Sequence, residues 1–286
     1  MANKTNGIDI SRYQGKPDFG RLKSEVDYII LQAGYGRYSS QKDSQFERSY
    51  SECKKYGIPV GVYWYSYAKS TADALAEANA CMEVIKGKQF EYPIYYDLEE
   101  NLGALGRALV SSIATTFCNA LEKAGYFAGI YISRSPAQSY LTDEVCKKYA
   151  LWLAEYGSRL NWSGAVGMWQ NSSTGRFSGI NGDVDTDICY EDYPKMIKTA
   201  GLNGYPKPEA TKELDKLSEA WWKHGDKLDN GLYAVKCRMK ALGYGYLDLA
   251  GGFGGGTEKA VNDLLRLWGY KQTGVIGKNF VDFVMK

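Results

Sequence analysis

The feature that most constrains this chain is an alternation of short apolar runs with longer amphipathic stretches, which continues to about residue 195. Such alternation is typical of repeated β-α units that build a mostly parallel sheet. Eight of the apolar runs have the length and composition of strands, and eight strands predict a closed barrel. The predicted strands are residues 7–11, 28–33, 59–67, 92–98, 127–133, 150–154, 166–170 and 184–188.

The segments between these runs supply fewer helices than a regular eightfold barrel contains. Apolar residues recur at helical spacing in residues 43–56, 71–86, 105–124 and 136–148. Residues 154–166 form a polar, glycine-containing stretch, so the last three strands have no room for full helices between them. The sequence therefore predicts an irregular α/β barrel with eight strands and fewer than eight helices.

The pattern changes after residue 195, which divides the chain into a barrel at 1–195, a linker at 196–231 and a small domain at 232–286. The linker begins with glycines and prolines and continues into a charged stretch with the composition of one exposed helix. Residues 232–286 contain three short amphipathic segments around a glycine-rich stretch, which predicts a small all-α domain with three helices.

Composition limits where this protein acts and which chemistry it uses. No run of 18 apolar residues occurs and the first residues lack a secretory signal, so we expect synthesis in the cytosol and no membrane insertion. The single histidine, His224, argues against histidine triads and multi-histidine metal sites. The six cysteines are far apart and are expected to be mostly buried thiols. Catalysis is left to carboxylates, hydroxyls or a thiol.

Charge and aromatic content indicate the kind of partner. Residues 196–286 are net basic, which favours an anionic polymer, but no run of five to eight Lys or Arg is present, so nucleic acid is not expected. The chain has 24 Tyr against 9 Phe, an excess of rings that both stack and hydrogen-bond. Sugar binding uses that combination.

Two carboxylates follow the fourth predicted strand. Asp97 and Glu99 are two residues apart, so strand alternation predicts that they share a face about 6.5–7 Å apart, whereas Glu100 does not. The carboxyl end of a parallel strand opens onto the loops where barrel enzymes place their chemistry. The alternative is that this acidic stretch merely caps the following helix.

Two further acids lie inside predicted strands, Asp9 in the first and Asp185 in the last. The first and last strands of a closed barrel are neighbours, so we expect these acids together, across the opening from Asp97 and Glu99. Four converging carboxylates would leave at least one protonated, as glycoside hydrolysis requires. The alternative for the acids at 183, 185 and 187 is a calcium loop, although the glycine and distal glutamate of an EF-hand are missing. We expect no metal and no cofactor.

Aromatic residues at or near the predicted strand ends are candidates for sugar binding, although part of this set is expected in the core instead. The candidates are Tyr35, Tyr63, Tyr65, Tyr131, Trp152 and Trp169.

An ordered series of motifs resembles the family 25 glycoside hydrolases, muramidases often called Chalaropsis-type lysozymes. It spans about residues 5–195 and comprises GIDIS, YIILQAGYG followed by QKDSQFE, GIPVGVYWYSYA, PIYYDLEE, GIYIS, LWLAEY, MWQ and DVDTDICY. The resemblance implies a flattened barrel that cleaves the β-1,4 bond between N-acetylmuramic acid and N-acetylglucosamine in bacterial peptidoglycan. One departure is Gln32, where many relatives have lysine.

The resemblance also implies roles for the acids. Glu99 is the general acid, and Asp97 orients the 2-acetamido group of the substrate in a retaining reaction. Asp9 and Asp185 are supporting acids. The spacing estimated from the strand lies between the values for retaining and inverting enzymes and does not decide the stereochemistry.

The tail from about residue 232 resembles small three-helix peptidoglycan-binding domains. The motifs are AVKCRMKALGYG, GGFGGGTEKAVNDLLRLWGY and TGVIGKNFVDFVM, with a departure in the loop 247–256. The alternative is a generic helical appendage, for example for dimerisation. The residues expected to contact the cell wall are Tyr244, Tyr246, Phe253 and Trp268, the last of which could equally be core.

Together these features predict a modular muramidase with a C-terminal wall anchor, whose partner is peptidoglycan. The missing export signal favours a phage endolysin released through a holin-permeabilised membrane over a bacterial autolysin, with non-classical release still open. Two alternatives remain: a catalytically silent wall-binding protein and a chitinase-like glycosidase.

Overall fold

The barrel predicted from the sequence is confirmed in a computed structural model, which describes residues 4–206, 222–267 and 271–285. Eight strands close on themselves in the order of the sequence. They are β1 Thr5–Ile10, β2 Tyr28–Tyr35, β3 Val60–Tyr65, β4 Ile94–Asp97, β5 Ala128–Ser133, β6 Ala150–Ala154, β7 Met168–Gly175 and β8 Val184–Cys189.

The last strand runs in a direction that the sequence analysis did not predict. β1 to β7 pair in parallel, whereas β8 is antiparallel to both β7 and β1. A parallel connection needs a crossover of a dozen or more residues, and residues 176–183 between β7 and β8 are too few. The short connection therefore reverses the chain.

The helices surround the first six strands. They also cover the lower end of the barrel, which is the end opposite the carboxyl ends of the parallel strands. Each of the four predicted helical segments contains helix, and the segment 136–148 divides into two. α4 is interrupted at Gly106, and residues 155–167 lack regular structure, as predicted. Nowhere in the described part of the chain is a helix both long and apolar enough to span a bilayer. The helices of the barrel are α1 Phe19–Leu22, α2 Phe46–Tyr56, α3 Thr71–Ile85, α4 Leu102–Lys123, α5 Arg134–Tyr140, α6 Asp143–Lys148 and α7 Tyr193–Ala200.

Two buried layers hold the barrel together, because alternate residues of each strand point inward and outward. The outward layer packs aliphatic side chains against the helices, and Tyr96 of β4 stacks on Phe117 of α4 with ring centroids 3.8 Å apart. The inward layer is rich in tyrosine. Tyr28 fits there because its neighbour is Gly7, where a Cβ would lie 2.4 Å from the ring. Full burial of one large apolar side chain in these layers stabilises the fold by about 1.5–3 kcal/mol.

The barrel continues past the boundary predicted at residue 195. α7 crosses that position, and Asn203 beyond it is fully buried. The Asn203 side chain accepts a hydrogen bond from Phe127 N at 2.7 Å and donates one to Tyr92 O at 2.9 Å. The start of the predicted linker is thus part of the barrel, and most of its charged stretch lies outside the described residues.

The tail forms the three predicted helices, α8 Asn230–Ala241, α9 Gly255–Leu267 and α10 Lys278–Val284. They enclose a separate apolar core that includes Leu232, Met239 and Phe253. A β-bridge between Trp222 and Ile276 joins its two ends. This apolar core is separate from the two buried layers of the barrel.

The tail packs on the lower end of the barrel, opposite the carboxyl ends of the parallel strands. Cys237 and Ala241 of α8 join the buried layer below the barrel, and Lys240 pairs with Glu191 at 3.2 Å. A Cβ at Gly245 would lie 2.6 Å from Lys147 O, so the chain approaches the barrel as closely as only glycine allows.

A buried carboxyl group lies near this contact. Burial raises the pKa of Glu122 on α4 to about 8, although the charges of Lys148 and Arg238 act in the opposite direction. Arg238 comes from α8, so the titration of Glu122 is linked to the docking of the tail.

We predict that Glu122→Gln makes stability less dependent on pH. Between about pH 5 and pH 8 the folded protein keeps a proton that the unfolded chain has lost, so the free energy of unfolding falls as pH rises. Thermal melts should show a higher Tm than the parent at about pH 8 and a similar Tm at about pH 5. The exposed Glu83→Gln is the control, and parallel Tm curves for the parent and Glu122→Gln would contradict the assignment.

Candidate active site

The acids predicted from the sequence meet at one end of the barrel, the mouth, which is formed by the carboxyl ends of β1 to β7 and the amino-terminal half of β8. The register pairs Asp9 of β1 directly with Asp185 of β8. On the far side β4 ends at Asp97, and Glu99 follows two residues later. The charges of these four acids influence one another's pKa values, so the structure brings the four together.

Asp97 and Glu99 form a close carboxyl pair whose interaction perturbs the pKa values of both groups. Asp97 is 4% exposed, whereas Glu99 is exposed at the rim with its carboxyl group turned toward Asp97. Burial raises the pKa of Asp97 well above its ordinary value, and the charges of Glu99 and Asp9 raise it further. Partial burial of its carboxyl group raises the pKa of Glu99 as well, against the hydrogen bond from Asp97 and together with the charge of Glu100. The pair therefore retains a proton where free carboxyls have lost theirs, and the deeper Asp97 holds it more firmly.

The pair departs from the predicted geometry in one respect. β4 ends at Asp97, so Glu99 lies in the loop before α4 and strand alternation does not govern its direction. The two carboxyl groups interact directly, so the spacing that an extended strand would impose on them does not apply. Glu100, which alternation placed on the other face, also reaches the mouth, where it accepts a hydrogen bond from Tyr65 OH at 2.9 Å.

One oxygen of Asp97 lacks a partner. Oδ1 is buried and accepts no hydrogen bond from any residue that the structure describes. Leaving a buried acceptor unsatisfied costs about 1–3 kcal/mol. This atom is therefore suited to accept an N–H group from a bound molecule.

Asp9 is held by a residue that the sequence analysis did not single out. Gln170 of β7 donates from Nε2 to Asp9 Oδ2 at 2.8 Å and accepts a hydrogen bond from Tyr131 OH at 2.9 Å. Burial raises the pKa of Asp9 well above its ordinary value, and the charge of Asp185 adds to the effect. Gln170 could have been found from sequence, because it lies on the inward face of β7 in the motif MWQ.

A fifth acid, Asp187, lies deeper in the barrel. It shares the inward face of β8 with Asp185, is 1% exposed, and accepts a hydrogen bond from Trp152 Nε1 at 2.7 Å. Burial and the charge of Asp9 raise its pKa. Asp183 instead lies outside the mouth and pairs with Arg176 at 2.8 Å. Asp183 thus lies apart from the other two acids of the alternative calcium loop, and the described ranges contain no group of three acidic, histidine or cysteine side chains placed to hold a metal.

Four of the six predicted aromatic residues lie at the mouth. Tyr35 and Tyr65 are half-buried at its rim, and Tyr131 lies on its wall. Tyr63 lies among the acids, because burial and the charges of Asp9 and Asp97 raise the pKa of its hydroxyl.

The two tryptophans do not offer a surface to a sugar. Trp152 is 1% exposed beneath the mouth, where its indole supports Asp187. Trp169 alternates with the inward Gln170 and therefore points outward, where its Nε1 donates to Glu155 O at 2.7 Å. Both are corrections to the predicted sugar-binding set, since proximity to a strand end does not fix the face on which a ring lies.

Four other tyrosines form an exposed rim. Tyr156 among them follows the predicted strand 150–154 and is counted with the aromatic residues near strand ends, whereas the other three were not selected from the sequence. Each follows within three residues of the end of a strand at the mouth, which is the signal that could have identified them. They are Tyr13, Tyr38, Tyr67 and Tyr156, and their exposed fractions are 79%, 63%, 51% and 59%.

A buried network stands behind the acid pair. Glu77 of α3 is 0% exposed and accepts hydrogen bonds from Tyr96 OH at 2.6 Å and Tyr67 N at 2.9 Å. Ser66 donates from its hydroxyl to Tyr96 OH at 2.8 Å and from its backbone N–H to Asp97 O at 3.0 Å. Glu77 thus fixes the ends of β3 and β4, and with them the position of Asp97.

The predicted wall-binding residues of the tail differ in exposure. Tyr246 is 49% exposed and packs edge-on against the half-buried Tyr244, with ring centroids 6.2 Å apart. Phe253 is 1% exposed in the core of the tail, so its assignment to a wall contact is wrong. Trp268 lies outside the described residues.

Comparison with protein families matches residues 8–180 to the family described as Glycosyl hydrolases family 25. The chain belongs to this family. It is therefore a glycoside hydrolase, and the acid-lined mouth is the part of the barrel that has the groups for this chemistry. The match contains Asp9, Asp97 and Glu99 and ends before Asp185 and the tail.

Individual relatives agree with this membership. The modular autolysin LytC from Streptococcus pneumoniae has a TM-score of 0.59 and 30% identity, over 66% of this chain and 47% of that chain. The CTP1L endolysin also has a TM-score of 0.59, with 25% identity over 68% of this chain and 69% of that one. A curated relative, "Uncharacterized protein YegX" of Escherichia coli O157:H7, is 26% identical over 64% of this chain and 68% of its own length. The chain thus spans about half the length of LytC.

We predict that Glu100→Gln lowers the pKa of Glu99, because it removes a like charge that disfavours the Glu99 anion. The titration of the Glu99 carboxyl carbon, followed by NMR, measures this directly and does not depend on knowing the substrate. Tyr65→Phe is the matched control, since it removes the hydrogen bond to Glu100 and keeps its charge. A Glu99 titration that is the same in Glu100→Gln and the parent would refute the proposed coupling.

Proposed function

We propose that this chain is an N-acetylmuramidase that hydrolyses the β-1,4 bond between N-acetylmuramic acid and N-acetylglucosamine in bacterial peptidoglycan. The observation that carries the proposal is the close pair of Asp97 and Glu99, both with raised pKa values, in a mouth with three further acids. Glycoside hydrolysis needs one carboxyl group that donates a proton and a second that stabilises positive charge.

The pair supplies both forms once a sugar binds. The acetamido N–H of the substrate donates to the unpartnered Oδ1 of Asp97 and favours the Asp97 anion. The shared proton then passes along the hydrogen bond to Glu99, which is exposed at the rim where the leaving oxygen lies. Binding thus converts Glu99 into the acid and Asp97 into the charged partner.

Cleavage then proceeds in two displacement steps. Glu99 protonates the glycosidic oxygen as the C–O bond breaks, and the acetamido oxygen attacks the anomeric carbon to form a cationic ring that faces the Asp97 carboxylate. Water then attacks the anomeric carbon from the side that the leaving group vacated, the bond from that carbon to the acetamido oxygen breaks and regenerates the acetamide, and the water gives a proton to the Glu99 carboxylate, which restores the acid. Two displacements retain the configuration of the anomeric carbon.

Asp9 and Asp185 act on the same cationic step through their charge. They face the acid pair across the mouth, and Gln170 fixes the Asp9 carboxyl by its hydrogen bond at 2.8 Å. Negative charge aimed at a developing cation stabilises the transition state, because the groups are already oriented before the reaction.

Relatives support peptidoglycan as the substrate. LytC is described in complex with a synthetic peptidoglycan ligand, and CTP1L is described as an endolysin. The exposed tyrosine rim gives sugar rings faces on which to stack. We further propose the role of a phage endolysin that reaches the cell wall after holin-mediated release, with a bacterial autolysin as the second candidate.

We predict that Glu99→Gln lowers hydrolysis of purified cell walls by about 10²–10⁴-fold, because an amide cannot donate the catalytic proton. Asp97→Asn should also lower the rate strongly, and both variants should retain the parent Tm and affinity for walls. Glu83→Gln is the matched control on an exposed surface.

Mass spectrometry of the digest identifies the bond. Muramic acid at the new reducing ends supports the proposal, whereas glucosamine there indicates a different bond. Efficient hydrolysis of chitin would favour the chitinase-like alternative. Wall binding by the parent protein without cleavage would show a silent binding protein and overturn the proposal.

We also propose that the tail anchors the enzyme to the wall through the exposed face of Tyr246. Tyr246→Ala should weaken co-sedimentation with purified walls by several-fold, whereas Tyr246→Phe should retain most of the binding because it keeps the ring. Hydrolysis of soluble wall fragments should change little in either variant. If both variants bind walls as the parent does, Tyr246 is not a wall contact.

A further inference from the structure

A groove runs down the flank of the barrel, between α6 and the loop 155–167. Its outer part is a cleft of about 370 Å³ lined by Arg107, Leu141, Lys147 and Trp162. This volume is within the range of about 300–1,000 Å³ that ligand sites occupy. Its inner part lies at the contact with the tail, and the two parts adjoin, because Cys146, Lys147 and Ala165 line both.

The groove begins close to the mouth. Arg134 stands at the end of β5 and donates from Nε to Glu155 at 2.8 Å, immediately after β6. It also donates from a terminal nitrogen to Gln138 at 2.8 Å, and Gln138 lines the outer cleft. α5 between these points has seven residues, which is about 10 Å of helix. The outer cleft therefore lies about one short helix below the rim.

The groove differs from the mouth in charge. Lys147 is exposed where the two parts meet, and it forms no ion pair with any residue in the described ranges. The Arg107 side chain is 50% exposed, donates a hydrogen bond to Leu141 O at 2.9 Å and forms an ion pair at 3.4 Å with Asp143, which also lines the cleft. At the inner end, burial raises the pKa of Glu122 to about 8, so this acid is mostly uncharged at neutral pH. Among the described residues, Lys147 is thus an exposed cation of the groove without an ion pair, while the mouth is crowded with carboxyl groups.

We propose that this groove binds the peptide stem of peptidoglycan, with Lys147 facing a stem carboxylate. The assignment rests on the muramidase function, because the stem is attached to the muramic acid that the mouth would hold. Five extended residues span about 17 Å, which is enough to pass α5 and reach the outer cleft.

The lining suits a peptide better than a phosphate-bearing wall polymer. Leucine and alanine side chains and the Trp162 ring form much of the outer wall, and the two cations are set among them. A peptide alternates apolar side chains with carboxylates in the same way, whereas a polymer with one phosphate per repeat favours a closer series of cations.

The test compares two substrates with the same glycosidic bond, namely glycan strands that carry stems and strands whose stems an amidase has removed. Lys147→Glu should raise KM for the stem-bearing strands by about five- to tenfold and leave kcat unchanged, with no effect on the bare strands. Lys86→Glu, at the exposed end of α3 and away from the groove, is the matched control.

Every other outcome contradicts either stem binding by the groove or the muramidase proposal. Equal changes on both substrates, or no change on either, would show that the groove does not bind the stem. A loss of affinity only for walls that carry phosphate polymers would assign the groove to that ligand instead. If the parent protein cleaves neither substrate, the muramidase proposal fails, and co-sedimentation of Lys147→Glu with the two kinds of strand still decides whether stems are bound.

Discussion

The central constraint on this structure is the burial of several acidic side chains close together inside one barrel. Asp9, Asp97 and Asp187 are each less than 8% exposed, and burial raises the pKa of all three. Such groups are tolerated only when they are protonated or hydrogen-bonded, because an isolated buried carboxylate is costly. The shared proton of the acid pair, Gln170 and Trp152 meet that need. The same crowding that costs stability raises the pKa values of these acids and favours their protonated forms, so the loss of stability and the supply of a proton donor have a single cause.

The closure of the barrel creates this crowding. The reversed strand β8 lies between β7 and β1 and brings its acids directly against Asp9, while β4 delivers Asp97 from the far side. The acids therefore belong to segments distant in sequence and meet only when all eight strands have paired. The hydrogen bonds that Glu77 accepts then fix the ends of β3 and β4. The loop that contains Glu99 starts from the fixed end of β4. The geometry of the site is thus a property of the complete barrel.

Sequence patterns predicted what depends on local periodicity. The eight strands, the helical segments and the meeting of Asp9 with Asp185 follow from apolar runs and from closure of the barrel. The direction of β8, the burial of Trp152 and the end of β4 at Asp97 depend on connections and packing between distant residues, which periodicity does not record. Asp187 and Gln170 were missed for a different reason. Strand alternation already placed them inward, but Asp187 was considered only as part of an alternative calcium loop, and Gln170 was given no role within the motif MWQ.

The division of charge along the molecule follows from the same architecture. The carboxyl ends of the parallel strands collect acids at the mouth, while the lower end collects the lysines and arginines that end α6 and α8 and complement their helix dipoles. Docking of the tail at the lower end extends this basic region and leaves the mouth uncovered. A polymer with neutral sugars and carboxylate-bearing side branches would place its backbone over the acids and its branches toward the cations. The orientation of such a substrate is therefore set by the distribution of charge over the fold as well as by contacts at the cleaved bond.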